Sequence, residues 1–230
     1  MKKIVLTASL FGIICPSFHA YAYVPSDVSR FENETDCIRC NLTQSSFSSN
    51  WSMKEKSGKF DGTLFTRFSL SGYKLIDSSF VDTNFVQSNL SNDQFDNGIF
   101  RNSNLSYSHL STVNFIKSTF NNVNFSHISM SGHWSSCSFN QVDFNYARLE
   151  GVSFLRANLV DVNFANANLK HADFSRVHVE RVNFDNADLS YAILIGSNIT
   201  KEHLSNTKTY KCATLSNGEV YTNDGEFTCN

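Results

Sequence analysis

The chain has 230 residues, of which 41% are hydrophobic, and a formal net charge of −2. That length can bury a substantial core within one domain. The near-neutral charge argues against a nucleic-acid partner, and beyond the first segment no apolar run approaches membrane-spanning length.

Residues 1–22, "MKKIVLTASLFGIICPSFHAYA", have the layout of a secretory signal peptide. Lys2 and Lys3 precede an apolar run from Ile4 to Cys15, and Ala20-Tyr21-Ala22 supplies an Ala-x-Ala cleavage site. Cleavage is expected between Ala22 and Tyr23. Cys15 invites a lipidated reading, but Ile14 stands where that processing wants a small residue. The expectation is therefore a periplasmic or secreted product without stable membrane anchoring, a thylakoid lumen being another Sec-fed compartment.

Residues 23–41 form the expected N-terminal cap. A helix starts there, with Ser26 as its N-cap and Asp27 in the first turn. Cys37 and Cys40 follow. They can be a disulfide, a redox pair or two independent thiols, and a lone Cys-x-x-Cys without a βαβ context is weak evidence for redox chemistry.

From residue 42 to 204 the pattern is neither helical nor that of a flat strand, apart from an irregular stretch at 48–59. Phe, Leu or a related residue returns every five residues from Phe60 to Met130, and again from Trp134 to Leu204. One four-residue step, at 130–134, separates the two runs. Sorted at a spacing of twenty, one column reads Leu70, Leu90, Leu110, Met130, Leu149, Leu169, Leu189, with no Phe. Phe dominates the other three columns. Four pentads per coil explain this sorting, each interior column stacking like on like. The centre of each pentad and the residue two before it must face inwards, so the second is expected to be small, as at Ala147, Ala157, Ala167, Ala172, Ala187 and Ala192. Asn is frequent just before the centre (Asn84, Asn104, Asn124, Asn163, Asn183), where it suits a turning chain.

Some positions break the rule. Phe68 and Tyr73 are large where small residues are expected. Asp93 places a carboxylate inside, where it must be hydrogen-bonded, protonated or displaced in a loop. Gly132 precedes Trp134 by two, which suggests that its missing side chain makes room for the indole. Cys137 takes an inward site and should be a buried thiol.

Residues 205–230 are the expected C-terminal cap, with "SNG" and "NDG" turn signals between short strand-like pieces. Cys212 and Cys229 bracket it and are expected to form a disulfide.

The units "ANLVD", "ANLKH", "ADFSR" and "ADLSY" resemble those of the pentapeptide-repeat family. The resemblance implies an all-β fold, a right-handed quadrilateral parallel β-helix. Independently, thirty pentads at four to a coil make about 7.5 coils, roughly 36 Å tall at the ~4.8 Å spacing of paired strands. The helix leading into Cys-x-x-Cys and the Cys-flanked tail are similar to the ends of exported members.

No phosphate-binding loop, hydrolase elbow or zinc-protease motif occurs, and no histidine stacks above another. Neither an enzyme nor a bound cofactor is expected. The outward residues Lys117, Arg156 and Arg176 share one column, with Ser136 between, while Arg181 and Lys201 share another; together they are a candidate patch for an anion or a partner. The favoured role is a non-enzymatic exported module that meets an unknown protein partner. The alternative within the family is a DNA-mimicking gyrase inhibitor. Residues 60–204 hold 13 acids and 10 Lys or Arg, too weak an imbalance for that role, and a signal peptide would remove the chain from gyrase.

Overall fold

The computed structural model describes residues 23–49, 53–222 and 229. The expected signal segment and its cleavage junction at Ala22 lie outside them or at their edge. The described chain winds as a four-sided β-solenoid in which the named strands pair in parallel. Phe80, Phe100, Phe120, Phe139, Leu159 and Val179 are register partners in successive coils, so the twenty-residue frame read from the sequence is the physical pitch.

The corners have one cause. The residue two after each centre has a left-handed backbone, as at Arg67, Asp77, Asp82, Gln87 and Asn92, with φ between 50° and 66°. One such residue in five turns the extended chain onto the next wall. The sequence reading placed the turning residue just before the centre, and the structure moves it three positions on. The Asn or Asp before the centre has a supporting role: the Asn84 side-chain oxygen accepts from the Val86 backbone N–H at 3.0 Å, and Asn104 and Asn124 repeat the contact. L-residues are disfavoured in this conformation. The inter-coil backbone hydrogen bonds, such as Phe85 N–H to Asn104 O at 2.7 Å, must outweigh that cost.

The interior is filled. Phe80, Phe100, Phe120 and Phe139 stack face to face at 4.6–5.0 Å between centroids. Across the core, Phe125, Phe144, Phe164 and Phe184 do the same at 5.0–5.4 Å. These separations match the rise per coil, so each ring meets its neighbours at van der Waals contact. Small inward residues leave them room: Ala147, Ala157, Ala167, Ala172, Ala187 and Ala192 are all buried.

The register step lies between Ser131 and Gly132, where the ladder passes from Ser111 to Val113 and skips Thr112. Thr112 bulges out, and the Ser131 hydroxyl oxygen accepts its N–H at 3.0 Å. Gly132 is required by backbone crowding, not by the indole as the sequence suggested: a Cβ there would lie 1.9 Å from the Val113 carbonyl oxygen, and its φ is +136°. Trp134 is fully buried among rings, the nearest being Phe144 at 4.8 Å.

The helix Pro25–Asn33 closes the N-terminal end. Its N-cap is Val24 and not Ser26, because Pro25 presets the helical φ one residue earlier. Asp27 remains in the first turn and accepts the Asn41 N–H at 2.8 Å. Phe31 drops from this helix onto Phe47, Phe60, Phe65, Phe68 and Tyr73. This explains the large residues at 68 and 73, which fill the width beneath the helix. In the irregular stretch, Lys54–Lys56 pairs with the strand Tyr73–Ile76, setting Lys56 below Leu75. Its ammonium donates to the Glu34 carbonyl at 2.6 Å and lies 5.0 Å from the Phe31 ring.

The repeats counted in the sequence end at Leu204, but the parallel register runs on, with Asp188 bridged to Thr209 and Ile193 to Thr214. A one-residue insertion hides this half coil from the pentad count. Thr214 then bridges Val220 in antiparallel sense.

Candidate interaction surface

Corner residues point outwards and recur at the coil spacing, so each corner of the rod is a ladder of side chains. Several ladders are knitted together. Asn102 donates from Nδ2 to Asp82 at 3.0 Å, and Asn122 in turn to Asn102 at 3.1 Å. On the next corner Asn97 donates to Asp77 at 3.0 Å.

Four of the five cations picked out from the sequence, Lys117, Arg156, Arg176 and Arg181, fall on two such corners, and the structure separates them chemically. Arg181 is paired: it reaches the Asp161 carboxylate through Nε and Nη2, the latter at 2.8 Å, and also contacts Glu180. These contacts hold Asp161 below the usual carboxylate range and raise the Arg181 guanidinium. Lys201, expected in the same column, is exposed but is not among the described left-handed corner residues. Lys117, Ser136, Arg156 and Arg176 follow each other up the neighbouring corner, all exposed and left-handed, with φ of 52–59°. Backbone bonds fix their order: Ser136 N–H donates to Leu155 O at 3.0 Å and Arg156 N–H to Ser175 O at 3.1 Å. Among the described residues no carboxylate pairs with these three cations. The carboxylate of Asp173, lower on the adjoining wall, accepts the Ser175 N–H at 2.8 Å, and its other oxygen lies 3.4 Å from the Ser153 hydroxyl.

A second corner escaped the sequence reading. Tyr107, His127 and Tyr146 stack in successive coils at 4.6 and 5.1 Å, their rings nearly parallel. Tyr107 is 53% exposed and Tyr146 is 52% exposed. His171 and Tyr191 repeat the arrangement at 5.0 Å on the following corner. The signal was present in the sequence as aromatic residues two after the centre at the coil spacing, with tyrosine and histidine alternating so that no histidine stacks on another.

The titratable groups inside are sealed. Asp93 is fully buried, and its Oδ1 accepts the Tyr73 N–H at 2.8 Å while Oδ2 has no partner. Burial pushes its carboxyl up to about 8, against the pull of the Tyr73 and Gly72 amides. Ser103 and Ser118 do the same work, accepting the N–H groups of Thr83 and Gly98 one coil below. Cys137 is a buried thiol, pushed up to about 12 by burial. Cys37 and Cys40 have their sulfurs 2.02 Å apart and are buried beneath the helix, out of reach of an exchange partner. Cys212 and Cys229 lie 2.07 Å apart, sulfur to sulfur. Among the described residues no group of three or more His, Cys, Asp and Glu could hold a metal ion. No described helix is long and apolar enough to cross a membrane.

Two sequence profiles match the chain, one described as "Pentapeptide repeat region" over residues 127–204 and one as "Pentapeptide repeats (8 copies)" over residues 100–132. No curated protein sequence matches. Among solved structures, the chain is similar to QnrB1, a plasmid-mediated fluoroquinolone resistance protein, at a TM-score of 0.50 and 15% identity, covering 77% of this chain and 88% of that one. HetL, a pentapeptide repeat protein involved in heterocyst differentiation regulation in Nostoc sp. strain PCC 7120, aligns at 0.43 with 14% identity, over 87% of this chain and all of its own. A pentapeptide repeat protein of the Arabidopsis thaliana thylakoid lumen is 30% identical over 40% of this chain and 57% of its own, at 0.31. The five-residue wall, the twenty-residue coil and the two repeat profiles over residues 100–204 place the chain in the pentapeptide-repeat family.

Proposed function

We propose that this protein is an exported, non-enzymatic rod whose corner ladders engage a protein partner. The observation that carries the reading is the division of its chemistry. The buried Asp93 and Cys137 are closed off inside, whereas cations and aromatic rings are sorted into separate outward columns on a rigid frame. Exposed Tyr and Arg on a preorganised surface are the residue types that dominate protein interfaces. Export is supported by the composition of residues 1–22 and by two cystine pairs, which suit an oxidising compartment.

Fractionation of native cells with sequencing of the mature N-terminus tests location, and should return a chain beginning at Tyr23 outside the cytosol. Cross-linked capture from that compartment should then yield a protein. An unprocessed cytosolic chain that inhibits gyrase supercoiling at low concentration would overturn the proposal.

A further inference from the structure

We infer that the corner formed by Lys117, Ser136, Arg156 and Arg176 docks an extended, acidic polypeptide segment with interspersed apolar side chains, lying along the axis of the rod. The inference rests on the reading of the chain as a protein-binding rod and names the chemistry of its partner.

Among the described residues the three cations have no carboxylate partner, unlike Arg30, Lys74, Lys170 and Arg181, each within 4 Å of a carboxylate. Arg156 and Arg176 stand one coil apart, ~4.8 Å, and Lys117 two coils below Arg156, roughly 9.6 Å. Like charges at that spacing repel, and an anion laid across them relieves the repulsion.

The neighbours on the other side choose between anions. Ile116 precedes Lys117 and Leu155 precedes Arg156, both half-exposed, while Ile195 is 47% exposed in the coil above Arg176. Cations therefore alternate with aliphatic surface along the ridge. A segment in the extended polyproline II conformation advances about 3.1 Å per residue and returns to the same face every third residue, so carboxylates three residues apart span the two-coil gap, leaving apolar side chains between them to cover Ile116 and Leu155. Single-stranded nucleic acid is disfavoured because the ridge offers aliphatic groups and no aromatic platform for bases.

The test uses the mature chain and a fluorescent peptide of about twelve residues built from Glu and Leu, with binding read by anisotropy. Binding should weaken as salt rises. Replacing Lys117, Arg156 and Arg176 together by Ser should weaken it about tenfold or more, in line with three exposed charge contacts. Ser136 already holds the same left-handed conformation, so Ser fits these positions, and an unchanged thermal melt verifies the fold. Arg181→Ser, which removes a cation already paired, should leave binding unchanged. Absence of peptide binding, an equal affinity in the triple variant, or tighter binding of a single-stranded oligonucleotide of matching charge would each overturn the inference. If the native partner is captured equally by wild type and triple variant, the ridge is refuted while the protein-binding reading stands. If neither captures a protein, the broader reading fails as well.

Discussion

Asp93→Asn should change how stability depends on pH more than it changes stability itself. The native carboxyl sits at about 8 against an ordinary 3.8, so the folded chain binds more protons than the unfolded chain across that window. Its contribution is therefore intact below about pH 4 and is lost as pH rises towards 8. Between pH 6 and pH 8 the linkage amounts to about 2 kcal/mol, most of the 1.4 kcal/mol per unit expected for a group protonated in one state and ionised in the other. At roughly 2–4 °C per kcal/mol for a chain of this size, wild type should lose about 4–8 °C over those two pH units through this group alone. Asn keeps the oxygen that accepts the Tyr73 N–H and carries no charge. Its NH2 replaces the unpartnered Oδ2, a pH-independent penalty of about 1–3 kcal/mol at most. The assay is thermal melting by circular dichroism from pH 5 to 8.5. The other titrating groups are common to both proteins and cancel in the difference. Parallel melting curves for wild type and variant would show that Asp93 is not buried as a proton-holding acid.

Ala167→Asp should destabilise by several kcal/mol, whereas Asn168→Asp should cost about 1 kcal/mol, because residue 167 is 2% exposed, while residue 168 is half-exposed on the outer face, keeps its oxygen on the Lys170 N–H and loses only the exposed Nδ2 contact to Glu150; similar melting temperatures would contradict the inward and outward assignment. Gly132→Ala should lower stability by roughly 3 kcal/mol or more, since its Cβ meets the Val113 carbonyl and its φ is left to glycine; an unchanged denaturation midpoint would mean the register step can relax. Cys229→Ser should remove roughly 3 kcal/mol of stabilisation for a loop of this size, and non-reducing peptide mapping of the native protein should recover Cys212 linked to Cys229.

The coil was legible because hydrophobic sorting is strict: a buried column tolerates only residues that fit its neighbours above and below, so the Phe-free Leu70–Leu189 column revealed the period. Inward positions were legible for the same reason. The corner mechanism was harder to see, because a left-handed backbone selects against β-branched residues and otherwise admits Arg, Asn, Tyr or His alike. Thr112 is the only β-branched residue among the described left-handed corners, and it stands at the register step. Gly132 was flagged correctly as necessary but explained wrongly, since sequence cannot show that a backbone carbonyl from the coil below occupies its side-chain space. Among the surface cations, the column was legible and the pairing was not. Arg181 and Arg176 look equivalent until Asp161 is found one coil beneath the first.

The stacked interior also sets where unfolding can be observed. Each coil is held mainly by the coils on either side, and a rod built so loses structure from its ends inwards. Trp134 stands near the middle of the stack, enclosed by Phe115, Phe120, Phe125, Phe139, Phe144 and Phe154. With Trp51 replaced by Phe, its emission becomes a single central reporter, silent while the terminal coils fray and changing only when the last ones part. Comparing it with circular dichroism, which averages over every coil, turns the solenoid into a gauge of its own cooperativity.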